Sequence, residues 1–259
     1  MPEGPEAYIM SKFIEKNSLN KLFISITSNT KTKVDLPKES KVINCNAHGK
    51  VIFIKTEDYY VHIHLGITGW LVPKKPRIYK YILHFEGKDL YLQDRRRFSS
   101  IKILSEENHY KEINKLGLNL LSSEFNLENF SKIVKSKKKN ICSLIMDQNI
   151  FAGIGNYIKN EALYISKISP YRKSSDLNDD EILALFLSIL FVTYSNLVEW
   201  HDSYKIKISS ELEILIPDYL ENPYDFYVYE KEKDYLKNKV KFDKTHCGRR
   251  TFYVTEIQK

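Results

Sequence analysis

The first residues could do chemistry on an aldehyde-like carbon. The chain begins Met1-Pro2-Glu3-Gly4-Pro5-Glu6. If Met1 is removed, Pro2 has a free secondary amine, and the carboxylate of Glu3 follows directly. Such an amine adds to the carbon and loses water, and the resulting iminium ion is an electron sink like a lysine Schiff base. An α-amino group titrates near about 8, so it is a free base more readily than lysine at pH 7.

The same residues also fit the start of a helix. Proline is favoured in a first turn, and acidic side chains suit the positive end of the helix dipole. The two interpretations are compatible, because a helix beginning here would direct its dipole at Pro2 and favour the unprotonated amine. Whether this terminus is catalytic therefore depends on which other motifs the chain contains.

Composition narrows the class of protein. The 259 residues suffice for one large or two modest domains. The sequence predicts no membrane span and no signal peptide, so we expect an intracellular protein of the cytoplasm or nucleus. Cys45, Cys142 and Cys247 form no C-x-x-C pair, so no disulfide or zinc framework and no cofactor are expected.

The charge favours a polyanionic partner. The net charge is +7, and five of the seven arginines lie in two clusters, Arg95–Arg97 and Arg249–Arg250. Arginine can stack or bind phosphate with two bonds, so clustering in a lysine-rich chain indicates sites that need it. Lys137 and Lys138 belong to a further basic run that would attract phosphates without regard to sequence.

The pattern of elements predicts an α+β protein of two domains. Short strands follow an N-terminal helix over Ala7–Lys16, which predicts a β-sandwich or flattened barrel in a catalytic domain, residues 1–125. Helices then dominate residues 126–224, and residues 225–259 contain a plausible hairpin. The predicted helices are 127–134, 140–147, 156–165 and 179–200, with a loop over 202–224.

Two turns in the first domain could contact a ligand. Lys50 follows Gly49 before an apolar strand, where it could bind a phosphate or supply a proton; a surface lysine at a turn is the alternative. In His64-Leu65-Gly66-Ile67-Thr68-Gly69, Ile67 at the tip could be a wedge pushed into a base stack, or it could pack inward. His62 and His64 share a strand face, but nothing pairs with them as a metal site would require.

Three further motifs combine cations with backbone donors. In Asp94-Arg95-Arg96-Arg97-Phe98, Arg96 and Phe98 could replace a base removed from a duplex; a solvated charge run is the alternative. In the segment 147–163 a helix ends, a glycine-containing turn follows, and a second helix begins near Asn156. A helix N-terminus binds phosphate through exposed N–H groups. Near the end of the chain, Arg249 lies in a turn between two strands.

Together these motifs resemble the formamidopyrimidine-DNA glycosylase/endonuclease VIII family along nearly the whole chain. The resemblance rests on Pro2–Glu6, Gly49-Lys50, the H-L-G-x-x-G turn, the D-x-R-R-F motif and the helix–two-turns–helix segment 147–163. It implies a bifunctional DNA glycosylase and abasic-site lyase of base excision repair. The implied partner is double-stranded DNA with a damaged base or abasic site, bound by a monomer.

The resemblance also implies roles for individual residues. Pro2 would attack the sugar C1′, and Glu3 would handle protons at the sugar oxygen. Ile67, Arg96 and Phe98 would fill the gap left by the flipped base. Phosphates flanking the lesion would be held by a separate set, namely Lys50, Asn156 and Arg249.

One departure from the family concerns the C-terminal zinc finger. The family usually ends in a finger with four cysteines, whereas only Cys247 is present here, so we expect a zinc-less hairpin like that of one endonuclease VIII-like branch. Oxidised pyrimidines and formamidopyrimidines are the expected substrates. The alternatives are a preference for 8-oxoguanine, and a non-catalytic damaged-DNA-binding protein on the same scaffold.

Overall fold

The computed structural model describes residues 2–205, 225–244 and 247–259. Within them the chain forms two compact units. The first is Met1–Leu116 with Trp200–Lys207, and the second is Gly117–Glu199 with Ile208–Lys259. The segment 117–125 and the C-terminal hairpin therefore belong to the helical unit, while the predicted domain limits at residues 125 and 225 stay predictions.

The first unit contains an antiparallel sheet of eight strands with helices packed on it. Its strands follow the order β5-β7-β6-β1-β2-β3-β4-β8, so β5 and β8 are the end strands and the sheet is not a closed barrel. The strands are β1 Leu22–Ser28, β2 Ser40–His48, β3 Val51–Thr56, β4 Tyr60–His64, β5 Trp70–Val72, β6 Tyr81–Phe85, β7 Lys88–Gln93 and β8 Ser100–Leu104.

Helix α1, Gly4–Ser18, packs against β2 and β3. Its Ile9, Met10 and Ile14 are completely buried, as the helical spacing of its apolar residues predicts. The helix is also hydrogen-bonded to the sheet, because Lys12 donates to the carbonyl of Cys45 over 3.1 Å. The element that carries the N-terminal residues is therefore held firmly by the sheet.

The sequence did not predict helix α2, Glu106–Ile113, which packs on β8 and contacts β4 through His109. Its buried His109 lies 2.7 Å from the buried His62, Nδ1 to Nε2, and stacks on Tyr60 with ring centroids 3.8 Å apart. His62 is thus part of an aromatic cluster between a helix and the sheet. This packing accounts for one of the two histidines considered as metal ligands.

The second unit is helical. Its elements are α3 Leu127–Ser136, α4 Ile141–Met146, α5 Asn156–Ile165, α6 Asp179–Tyr204 up to Glu199, the short parallel strands β9 Leu118–Asn119 and β10 Phe151–Ala152, and the hairpin β11 Lys241–Lys244 with β12 Arg250–Tyr253. All four predicted helices are present. Helix α6 extends to Tyr204, so the predicted loop 202–224 begins later, and its residues 206–224 lie outside the described residues.

Helix α6 contains a stretch, Asp179–His201, that is long and apolar enough to cross a membrane by length and composition alone. However, 61% of its most apolar window is buried inside the protein. Leu185 and Ile189 lie in the core of the second unit with residues from α3, α4 and α5. This core packing accounts for the apolar composition of the helix.

Candidate active site and nucleic-acid interface

The predicted site residues fall into two groups, one in each unit. In the first unit, Pro2 is half-buried and immediately precedes the N-cap of α1, which is Glu3. Glu3 is fully buried, and it forms a capping box with Glu6, in which the N–H of Glu3 donates to Glu6 Oε2 over 2.8 Å. The motif therefore begins a helix, as one interpretation predicts, and the helix directs its positive end at Pro2.

Lys50 lies in the two-residue turn between β2 and β3, next to Gly49 with a φ of +56°. A left-handed conformation at this point suits glycine, and the tight hairpin brings the lysine to the end of two core strands. Lys50 is half-buried. Since α1 packs on the same two strands, one rigid assembly positions both Lys50 and the N-terminal residues.

The turns that carry Ile67 and Arg96 are joined by the buried carboxylate of Asp94. Thr68 donates its hydroxyl to Asp94 Oδ1 over 2.5 Å, and the backbone N–H of Ser99 donates to Oδ2 over 2.7 Å. The N–H of Arg96 donates to Asp94 as well. Burial disfavours the charged carboxylate, but these hydrogen bonds outweigh burial and hold the pKa of Asp94 below its ordinary value.

The two turns also touch through their main chains. A Cβ on Gly66, whose φ is +67°, would lie 2.7 Å from the carbonyl carbon of Phe98. Only a glycine permits this approach. The structure thus brings together the turns of the three residues that the sequence assigns to filling the gap in the duplex: Ile67, Arg96 and Phe98.

The side chains of Arg96 and Phe98 form a cation–π pair. The guanidinium lies 5.0 Å from the ring centroid, and the ring is 57% exposed. Beneath them, the nearly buried Lys80 donates to the carbonyl of Arg97 over 2.8 Å and to that of Ser99. An exposed aromatic ring and a guanidinium are therefore presented on a turn that is fixed from below.

In the second unit, Asn156 is the first residue of α5, the second helix of the predicted helix–two-turns–helix segment. The loop before it is organised by Gln148, whose Nε2 donates to the carbonyl of Ile154 over 2.7 Å and whose Oε1 accepts from the N–H of Gly153 over 3.1 Å. Gly153 has a φ of +110°. Helix α5 therefore begins directly after an ordered turn.

The sequence did not single out Lys159, one turn into α5. It is completely buried, and its ammonium donates to Asn156 Oδ1 over 2.9 Å and to Thr251 Oγ1 over 2.8 Å. The Sγ of Cys247 is 3.5 Å away. The signal for it was available: a lysine is unusual at a buried helical position, and three residues after Asn156 it must share a face with it.

Hydrogen bonds to side chains of α5 hold the segment 227–229 and the C-terminal hairpin in place. The buried carboxylate of Glu161 accepts the N–H groups of Tyr227, Val228 and Tyr229 over 2.7, 2.9 and 2.7 Å. Asn160 accepts the N–H of Phe252 over 3.0 Å. A small apolar cluster completes the interface, formed by Tyr164, Val228, Val240, Phe252 and Val254.

The remaining predicted DNA ligands are exposed. Arg249 lies in the bend before β12, and Lys137 and Lys138 lie just beyond α3. Arg250, the neighbour of Arg249, instead places its guanidinium 5.4 Å from the Phe242 ring centroid. Among the described residues, no group of three or more His, Cys, Asp or Glu side chains is arranged to hold a metal ion. The zinc-less finger stays a prediction.

The architecture is that of a two-domain α+β protein with a helix–two-turns–helix segment, and comparisons with known proteins specify the class. A family model described as the formamidopyrimidine-DNA glycosylase N-terminal domain matches residues 1–101. A second, the H2TH domain of the same glycosylase, matches residues 116–199. The formamidopyrimidine-DNA glycosylase of Wolbachia pipientis from Culex pipiens is 30% identical over 204 residues, which are 73% of this chain and 75% of the relative.

Solved structures share the same fold. The MutM (Fpg) protein from Thermus thermophilus superposes with a TM-score of 0.81 at 22% identity, covering 99% of this chain and 98% of that one. The Lactococcus lactis glycosylase bound non-covalently to DNA with an abasic site gives 0.78 at 19% identity, covering 99% of each chain. The chain belongs to the formamidopyrimidine-DNA glycosylase/endonuclease VIII family, and its predicted α+β fold class is confirmed.

Proposed function

We propose that this protein is a bifunctional DNA glycosylase and abasic-site lyase of base excision repair. The observation that carries the proposal is the N-terminus: Pro2 lies at the positive end of α1, beside a fully buried Glu3. A protein that only binds DNA needs neither an N-terminal proline nor a buried carboxylate next to it. The relatives that carry the glycosylase name support the same conclusion.

In this proposal the amine of Pro2, free after removal of Met1, attacks C1′ of the damaged nucleotide. The C1′–N bond breaks, the base leaves with a proton, and Glu3 delivers a proton to the sugar O4′ so that the ring opens to an iminium ion. The iminium withdraws electrons, so loss of a C2′ proton expels the 3′ phosphate by β-elimination. A second, δ-elimination expels the 5′ phosphate, and water then releases the sugar remnant from Pro2.

The other residues would hold DNA in the required geometry. Lys50 and Asn156 bind phosphates beside the lesion, with Arg249 as a third ligand, while Lys137 and Lys138 add attraction that depends on salt. Ile67, Arg96 and Phe98 fill the gap, the last two as a stacked pair that can contact the orphaned base. The abasic-site DNA in the Lactococcus lactis structure is the same class of ligand.

The proposed substrates are oxidised pyrimidines and formamidopyrimidines, and the proposed branch is the zinc-less one related to endonuclease VIII. The finger supports this branch, because hydrogen bonds and an apolar cluster hold it to α5. The relatives named above are formamidopyrimidine-DNA glycosylases, which keeps a preference for 8-oxoguanine as the second candidate. A monomeric, intracellular enzyme fits both.

Borohydride trapping tests the chemistry. The protein is incubated with an oligonucleotide duplex containing one abasic site, reduced, and digested, and the N-terminal peptide is analysed by mass. An adduct on Pro2 is the expected result. If Met1 is removed and DNA binds but no adduct forms, the non-catalytic damaged-DNA-binding protein becomes the correct assignment.

A pair of variants separates base removal from cleavage of the strand. Glu3→Gln should abolish base removal from an intact lesion more than it slows cleavage at a preformed abasic site, because only the first step needs acid catalysis at the sugar. Removing a positioned general acid costs typically about 10²–10⁴-fold in rate. Pro2→Gly should keep some activity through its primary amine but slow the lyase step. Wild-type rates for Glu3→Gln on both substrates would contradict the role given to Glu3.

A further inference from the structure

Lys159 is a buried cation, and its hydrogen-bond partners are side chains that are ordinarily uncharged. Its ammonium is completely buried and donates to the side chains of Asn156, Thr251 and Cys247 over 2.9, 2.8 and 3.5 Å. No carboxylate in the described parts of the chain forms a salt bridge with it. Burying an ammonium without a counter-charge is costly, so this position needs a reason.

The surrounding field makes the position still less favourable for an isolated cation. Asn156 is the first residue of α5 and Lys159 lies one turn further, so both are at the positive end of the helix dipole. A cation there is destabilised by the helix unless an anion binds in front of it. The N-terminus and the lysine together create a positive potential that a phosphate would neutralise.

The contact with Lys159 also determines which way the Asn156 amide points. An ammonium is a donor only, so the Asn156 atom 2.9 Å away must be the carbonyl oxygen, Oδ1. The Nδ2 donor therefore points elsewhere. It has no acceptor among the described residues and is not one of the enclosed atoms that lack a partner. An accessible amide N–H at a helix N-terminus suits an anion.

We propose that Lys159 is a positioning residue for a DNA phosphate: it fixes the Asn156 amide with Nδ2 toward the ligand and supplies the charge that the phosphate neutralises. The inference rests on the proposed function, in which Asn156 holds a phosphate beside the lesion. It adds a residue that never touches DNA and acts through another. Its contact with Thr251 extends the same hydrogen-bonded group to the C-terminal hairpin.

The competing explanation is that Lys159 only stabilises the packing of the hairpin against α5. Two variants separate the explanations. Lys159→Met removes the charge and the hydrogen bonds to Asn156, Thr251 and Cys247 at similar volume, whereas Thr251→Val removes one acceptor near the hairpin and leaves the Asn156–Lys159 contact intact. A structural tie would be damaged by both variants, whereas phosphate positioning would be damaged only by the first.

The experiment is a double-mutant cycle on DNA affinity. The ligand is a duplex with one tetrahydrofuran residue, which has no C1′ hydroxyl and cannot form a Schiff base; binding is followed by fluorescence anisotropy at several salt concentrations. A hydrogen bond to a charged group corresponds to about a tenfold or larger change in affinity. We therefore expect Asn156→Ala and Lys159→Met each to raise Kd about tenfold, and Asn156→Ala to add no more than about twofold once Lys159 is methionine.

Two readouts go beyond a structural role. Lys159→Met should reduce the dependence of log Kd on log salt concentration by up to about one, as expected when one phosphate contact loses its charge. Lys159→Arg should restore the salt dependence because it keeps the charge. Thr251→Val should bind within about twofold of wild type, since it removes one acceptor of Lys159 that lies away from the ligand and keeps the hydrogen bond to Asn156. Thermal unfolding verifies that each variant is folded.

Several results would overturn the proposal: wild-type affinity for Lys159→Met, independent effects of the two single variants, or equal losses for Thr251→Val and Lys159→Met. Borohydride trapping on true abasic DNA is measured in parallel. If the wild type is trapped but the variants act independently, only the role of Lys159 is wrong. If coupling is found without trapping, the phosphate site is correct and the proposed chemistry is wrong.

Discussion

The first unit uses a buried cation to hold main chain, and the second uses a buried anion for the same purpose. Lys80 donates to the carbonyls of Arg97 and Ser99, while Glu161 accepts N–H groups from three consecutive residues, 227–229. The second unit contains a further buried charge, Lys159, whose partners are side chains. Charges that bind main chain fix the shape of a loop, whereas we propose that Lys159, which binds the Asn156 side chain, orients that side chain for a phosphate.

This difference predicts that Lys80 and Glu161 govern the stability of the protein, whereas Lys159 governs its affinity for DNA.

The largest loss of stability is expected for Glu161→Gln. The amide NH2 cannot accept, so at least one of the three N–H groups would face a donor in a buried site. We expect a loss of about 3–5 kcal/mol in the free energy of unfolding, because breaking a buried charged network is costly. Urea unfolding measures it, with the exposed Glu256→Gln as the matched control. A loss no larger than that of the control would refute the role of Glu161.

Lys80→Met should have the next largest effect. Methionine fills the same space but leaves the carbonyls of Arg97 and Ser99 without this donor, at a cost of about 2–4 kcal/mol. The comparison is sharpest against Lys159→Met, which replaces another buried lysine identically. If Lys159→Met lost as much unfolding free energy as Lys80→Met but no DNA affinity, the proposed difference between the two lysines would disappear.

A pH dependence should separate the units. Burial and the neighbouring His109 lower the pKa of His62 to about 4, and burial also lowers the pKa of His109. An unfolded histidine titrates near about 6.5, so between about pH 6.5 and 4 the unfolded state binds more protons. The stability contributed by His62 should therefore be fully present above that window and be lost as pH decreases through it, a loss of about 2–3 kcal/mol after allowance for solvent screening.

His62→Gln should flatten this pH dependence, with some residual slope from His64 and His109, because burial lowers the pKa of both. In the second unit, burial opposes ionisation of Asp234, but hydrogen bonds from Asn238 and Tyr164 outweigh it and lower its pKa. A carboxyl group with a lowered pKa contributes stability that is present above its unfolded pKa and disappears only as pH falls through the folded value. On acidification the hairpin should therefore stay folded to a lower pH than the histidine cluster. Hydrogen exchange measured at pH 7 and at pH 5 tests this order.

The smallest expected effect is that of metal removal. Dialysis against EDTA should leave the unfolding temperature unchanged, since α5 holds the segment 227–229 through Glu161 and the hairpin through Asn160. Metal analysis of the purified protein provides the independent measurement, and about one zinc per chain would contradict the prediction. The relevant control is a zinc-finger relative treated in the same way, which should be destabilised by chelation.

The sequence predicted the elements with a strong local signal. The spacing of apolar residues predicted α1 and all four helices of the second unit, and helix α5 has the predicted limits. The short strand β5 and the helix α2 were missed. Helix α2 has one buried residue, His109, so its sequence has no apolar stripe, and its place depends on contact with a histidine forty-seven positions away. Such pairings are invisible to local periodicity.

The candidate site could be named only in part. Pro2, Glu3 and Asn156 occur in recognisable motifs, so the sequence nominates them as site residues, and their roles stay predictions. The sequence also shows a lysine one helical turn after Asn156, but not its contact with Thr251, ninety-two positions later, because that contact depends on the fold. Asp94 was visible only as the first letter of a motif, although it joins two turns twenty-six positions apart.

The contact between Gly66 and the main chain of Phe98 has a consequence for how this protein can change over generations. The two turns share one carboxylate and one point of backbone contact, so a substitution that moves either turn also displaces the other. These contacts are made by Gly66, Thr68, Asp94 and main-chain groups of residues 96, 98 and 99, so exchanging the side chains at positions 67, 96 and 98 removes none of them. Under the proposed function, a change of side chain at these tips would alter the contact with DNA, while the two turns would be inherited as a pair.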